Sequence, residues 1–121
     1  MKITSCIGAV AIFTLFSSSA SHAQKPEYGS GNYMLKHCQH FLQENYRYDP
    51  FDGECSGIVS TAMFFGKSLP PDFRFCVPES ASLGQAIRIV IKYMESNPQL
   101  LHLDLRGLAT TALHEAWPCK R

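Results

Sequence analysis

Apolar residues fall into four stretches of helical period, divided by polar segments rich in proline and glycine. Over residues 32–45, Met34, Leu35, Cys38, Phe41 and Leu42 recur at spacings that align on one helix face, and Ser30 or Asn32 stands where an N-cap is needed. Residues 46–53 break the period with Asp-Pro and Asp-Gly, after which Asp52 is expected to cap a second helix running to about Phe65. Its inward seam reads Cys55, Ile58, Val59 and Ala62, with Met63 and Phe65 beside it. Gly57 lowers helix propensity there, which points either to close approach of a neighbouring helix or to simple tolerance.

Residues 66–79 hold three prolines and no sustained period, so they read as a loop pinned by Cys76. Ser82-x-x-Gln85 has capping-box spacing, and Leu83, Ala86, Ile87, Val90, Ile91 and Met94 give the third helix the clearest stripe in the chain. Asn97-Pro98 ends it, because the residue before proline is pushed out of helical geometry; Asn97 is then placed to cap a short turn. A last helix spans about Leu105 to Ala116, with Leu105, Leu108, Ala109, Ala112, Leu113 and Ala116 inward, and Trp117-Pro118-Cys119 stops it. Residues 88–91 are branched but lie within an unbroken 3.6-residue period. The expected fold is therefore all-α: a compact bundle of about four short helices.

The N-terminus follows a different rule. Lys2 precedes a nearly unbroken apolar run over residues 7–16, too short to span a bilayer, and small residues follow with Ser21 and Ala23 at the positions of a cleavage site. Residues 1–23 thus read as a signal peptide and residues 24–121 as a single exported domain without a membrane anchor. Removing 23 residues from 121 leaves 98, enough for one modest core. Five cysteines become four on loss of Cys6, and an even count in a short exported chain reads as a disulfide framework with three possible connectivities. Cys38 and Cys55 lie on the seams of consecutive helices joined closely enough to run antiparallel, whereas Cys76 and Cys119 lie in proline-flanked segments. That placement selects Cys38–Cys55 and Cys76–Cys119.

Charge and chemistry narrow the function by exclusion. Without Lys2 the exported chain balances ten basic against ten acidic residues, and no basic stripe suggests nucleic acid or an anionic membrane as partner. A cysteine nucleophile needs a free thiolate, which four paired cysteines do not supply. His37 and His40 are three apart and can share a helix face, but a tight zinc site needs three or four convergent ligands and no His-Glu-x-x-His or close cysteine pair supplies them, so they read as surface histidines on the helix flank and no metal and no cofactor is expected; His102 and His114 stand alone. Asp49, Asp52 and Glu54 cluster in a turn, where capping is the simpler role. No phosphate loop or serine elbow is present, and no catalytic residues are assigned.

Binding is the remaining class. One interhelical segment gathers Tyr46, Arg47, Tyr48, Asp49 and Phe51, and a second, residues 69–75, gathers Asp72, Phe73, Arg74 and Phe75. Aromatics mixed with arginine are enriched at protein interfaces. The competing role for Tyr48, Phe51, Phe73 and Phe75 is to roof a small core.

The order of motifs carries a resemblance. Asn32-x-x-Leu35-x-x-Cys38, Cys55-x-Gly57-Ile58-Val59, Phe75-Cys76-x-Pro78, Gly84-Gln85 followed by Val90-Ile91-x-Tyr93-Met94-x-x-Asn97-Pro98, and Ala112-Leu113-x-x-Ala116-Trp117-Pro118-Cys119 span nearly the whole exported chain. In that order they resemble the Rap/Tai family of periplasmic immunity proteins. The resemblance implies a helical, disulfide-bonded, often dimeric periplasmic protein that plugs a peptidoglycan amidase effector of type VI secretion and catalyses nothing itself. The matched residues carry over as scaffold, and inhibitory contacts fall outside them. Where relatives often have an aromatic after the glycine beyond the second cysteine, this chain has Ile58, a change that bears on packing. A rival reading is a periplasmic stress protein resembling the acid chaperones, with no toxin partner.

Overall fold

Helix caps set the element boundaries in the computed structural model, which describes residues 27–120. The expected signal segment and its cleavage site lie outside the described residues. Ser30 holds extended backbone and its hydroxyl accepts from the Tyr33 amide, starting helix α1 (Gly31–Phe41). The helix stops short of residue 45: Leu42 and Gln43 bond three residues back, and residues 43–45 are exposed polar side chains with nothing to pack against.

Helix α2 (Pro50–Phe65) begins earlier than the expected Asp52 cap. Asp49 is the cap, accepting from the Phe51 amide at 2.8 Å, and Pro50 takes the first helical position, where its fixed φ fits and its missing N–H costs nothing. Helix α3 (Leu83–Ser96) is capped by Ser82, whose hydroxyl accepts from the Gln85 amide at 3.1 Å. A 3-10 turn at Pro98–Leu100 follows, but the Asn97 side chain turns back to donate to the Tyr93 carbonyl instead of capping it. Asp104 caps helix α4 (Leu105–Ala116). Another 3-10 turn, Gly66–Ser68, extends α2.

The four helices enclose one core. α1 packs chiefly on α2, α3 on α4, and α2 crosses to both later helices. Met34 and Cys38, Cys55 and Val59, Ile87, Val90 and Met94, and Leu105, Leu108 and Leu113 are the inward residues of the successive helices. The expected disulfides form: Cys38–Cys55 joins α1 to α2 across 17 residues, and Cys76–Cys119 ties the loop before α3 to the chain end across 43. The N-terminal segment is stitched to the start of α4, since Gly31 and Asn32 donate to the Leu103 and Leu101 carbonyls and Leu105 donates to Gly29. No described helix is long and apolar enough to cross a membrane.

Ala116, expected inward, is exposed at the end of α4, and two details of α2 also depart from the expected packing. Gly57 is exposed, and a Cβ there would meet nothing within 4 Å, so close helix approach is not its role. Phe65, expected beside the inward seam, is half exposed, and Ile58 and Ala62 are only partly covered. α2 carries apolar residues around more of its circumference than one core can bury, so part of that surface faces outward.

Candidate functional site

The turn between α1 and α2 is built around a buried carboxylate. Because α2 starts at Pro50, Asp52 falls in its first turn and points at α1, where it is 1% exposed. His37 and His40, one turn apart on α1, reach it from the other side: His37 Nδ1 lies 2.8 Å from Oδ1, and His40 Nδ1 hydrogen-bonds Oδ2. A carboxylate this deep must be hydrogen-bonded to remain charged, and the two imidazoles satisfy both oxygens. His37 Nε2 is buried with no hydrogen-bond partner.

An aromatic cluster covers the neighbouring side of this turn. Tyr33 packs edge-on against Tyr28 and Phe51, and the His37 ring lies 4.9 Å from Tyr33 and 5.6 Å from Phe51 between centroids. The Tyr33 phenol titrates above its usual range, first because of desolvation and then because Tyr28, Asp49 and Glu54 add negative charge around it. Tyr46 packs on His40 and Phe41, and its hydroxyl accepts from the Asp49 amide. Within the first expected contact segment, Tyr46 and Asp49 therefore have internal duties. Arg47, Tyr48 and Phe51 face solvent, Tyr48 at 79% exposure.

The second segment lies at the far end of α2. Phe75 is fully buried beneath Gly66 and belongs to the core, while Asp72, Phe73 and Arg74 are exposed. Arg74 Nε donates to the Leu69 carbonyl, His114 of α4 hydrogen-bonds the Arg74 carbonyl at 2.8 Å, and Cys76 donates to the Trp117 carbonyl. The loop is thus fastened underneath and presents its tip. Residues 52–65 of α2 separate the two segments, about 21 Å of helix, so the structure does not bring them together.

What connects them is the outward surface of α2. Phe64 is 80% exposed and packs edge-on against half-exposed Phe65. Beside them, Gly57, Ile58, Thr61, Ala62, Phe65 and Leu69 line an apolar groove of about 330 Å3, closed on the α4 side by Arg106 and Thr110. Sequence patterning placed Phe65 near the core and passed over Phe64. The available signal was an α2 with too many apolar positions for one stripe.

All four described cysteines are disulfide-bonded, so the described residues hold no thiol nucleophile. His37, Asp49 and Asp52 each bring a ligand atom to within 4.8 Å of the others, a convergence that the spacing of the two histidines alone did not disclose. Comparison with known proteins adds one match: residues 30–119 fit the family model of Rap1a immunity proteins. No curated protein and no solved structure matches the chain.

Proposed function

Because this chain belongs to the Rap1a immunity protein family, we propose that it neutralises a secreted effector by occupying its active-site cleft, and that the effector is a peptidoglycan amidase of type VI secretion. On this reading residues 1–23 export the chain to the periplasm, and it performs no reaction of its own. The observation that carries the reading is the outward apolar surface of α2, with exposed Phe64 and Phe65, flanked by Tyr48 and Phe51 at one end and Phe73 and Arg74 at the other. Contiguous apolar surface of this kind marks interaction sites, and exposed aromatics with an arginine supply the usual anchors. An effector touching both loops must lie along α2.

Co-expression with the amidase partner, directed to the periplasm, tests this. Protection from lysis and a complex that co-elutes on sizing are expected. Equal lysis with and without the protein, together with no complex, overturns the proposal. Phe64→Ala combined with Phe65→Ala should weaken the complex at least about 30-fold, the scale of an interface anchor, while leaving the helical spectrum intact.

A further inference from the structure

We propose that His37, Asp49 and Asp52, with His40 positioning Asp52 through its second oxygen, form a binding site for a divalent transition metal of the zinc class at the α1–α2 turn. This goes beyond the effector-binding reading and does not depend on it.

The donor set is the first reason. Zinc takes imidazole nitrogen and carboxylate oxygen in a closed set of three or four ligands. His37, Asp49 and Asp52 each offer a ligand atom within 4.8 Å of the others, while His40 hydrogen-bonds the second oxygen of Asp52 and fixes that carboxylate. Asp49 Oδ1 is held by the Phe51 amide, which fixes the side chain and leaves its second oxygen free. The hydrogen bond now joining His37 Nδ1 to Asp52 Oδ1 occupies the position that a metal bound to the same atoms would take over.

Charge and access are the second. Asp49, Asp52 and Glu54 set three carboxylates around the turn, and the cleft above it is lined by Lys36, Gln39 and Gln43 along with the ligands. Lys36 is drawn aside, its Nζ lying 5.4 Å from the Tyr33 ring centre. A cation can therefore enter from solvent and retain water on its open side.

The third reason concerns His37. Its Nε2 is buried without a hydrogen-bond partner in a ring packed against Tyr33 and Phe51. Ligation through Nδ1 puts the ring hydrogen on Nε2, and an N–H among aromatic rings is a favourable if weak contact that needs no further acceptor. The bound ion would clamp α1 to the first turn of α2 beside the Cys38–Cys55 bond, holding residues 42–49 between them.

The test uses untagged protein exported from the full chain, treated with chelator and titrated calorimetrically with zinc chloride in phosphate-free buffer. One zinc per chain with Kd of about 10 µM or tighter is expected, with a rise in Tm of roughly 10 °C at free zinc about 100 times Kd. His40→Ala, at a half-exposed position, should weaken binding at least about 10-fold, the scale of losing a partner that orients a ligand. Nitrogen-15 spectra of the wild-type histidines should show zinc on Nδ1 and hydrogen on Nε2 of His37. This last readout needs no variant and so survives any folding defect. Binding weaker than about 10 µM, affinity unchanged in His40→Ala, or coordination through Nε2 overturns the proposal.

Discussion

Gly57 lies within α2 and Gly66 directly after it, yet they should respond oppositely to an added methyl group. Gly57 is open on its outer side, so Gly57→Ala removes only the propensity penalty and should raise stability by about 0.5–1 kcal/mol in urea denaturation. If the effector lies along α2, the same change lowers its affinity, and that pairing of gain and loss separates a contact face from an ordinary helix surface. At Gly66 a Cβ would fall 2.5 Å from the ring of Phe75, which is fully buried and has nowhere to move. Gly66→Ala should cost about 1–3 kcal/mol. Asp52→Ala strips two imidazoles of their common acceptor and should cost roughly 2–3 kcal/mol, read from the same denaturation curves. Asp52 was visible in the sequence only as a turn carboxylate suited to capping. Nothing in a run of letters shows that a helix starting three residues earlier will turn that carboxylate inward.

Helix termini carry the next set of consequences. Asp104 caps α4, accepting from the Arg106 amide at 2.8 Å and from its guanidinium at 2.7 Å through both oxygens. The Arg106 side-chain hydrogen bond, ahead of the smaller backbone and charge contributions, holds the Asp104 carboxyl below its ordinary range despite some opposing desolvation. A folded value below the unfolded one means that this stabilisation is complete above the ordinary carboxylate range and is lost as pH falls through the folded value. The pair is largely exposed, so solvent screening keeps its contribution small. Asn caps nearly as well as Asp, so Asp104→Asn should be less stable than wild type at pH 7 and approach it near pH 3, comparing urea midpoints at about those values. The extents of α3 and α4 were legible because each has a single strong stripe and clear stops. The start of α2 was misplaced because two aspartates compete for the cap and Pro50 at the first helical position decides between them. Its outward surface was misassigned for a related reason: patterning identifies apolar residues but not how much of their surface neighbours are available to cover.

The molecule as a whole depends on its two cross-links. By loop entropy, closures of 17 and 43 residues contribute about 3 and about 4 kcal/mol, comparable with the ~5–15 kcal/mol total stability of a small domain. Reduction should therefore lower the denaturation midpoint sharply and abolish cooperative melting near physiological temperature, followed by far-UV circular dichroism with and without dithiothreitol. Retention of a cooperative transition at the oxidised midpoint would show that the helical core suffices alone. The amino-acid sequence by itself determined the helical class, the number of helices and the family, and its helix placement favoured one of three cysteine pairings, which the structure then showed. Each of these rests on short-range periodicity, on cap and stop residues, or on ordered motifs that the chain carries wherever it folds. Tertiary structure alone decided that Phe75 is core while Phe64 and Phe65 are surface, that the two aromatic loops stand at opposite ends of α2, and that two histidines meet Asp52. These depend on which helix face finds a neighbour and at what angle, a question settled by packing among residues far apart in the chain.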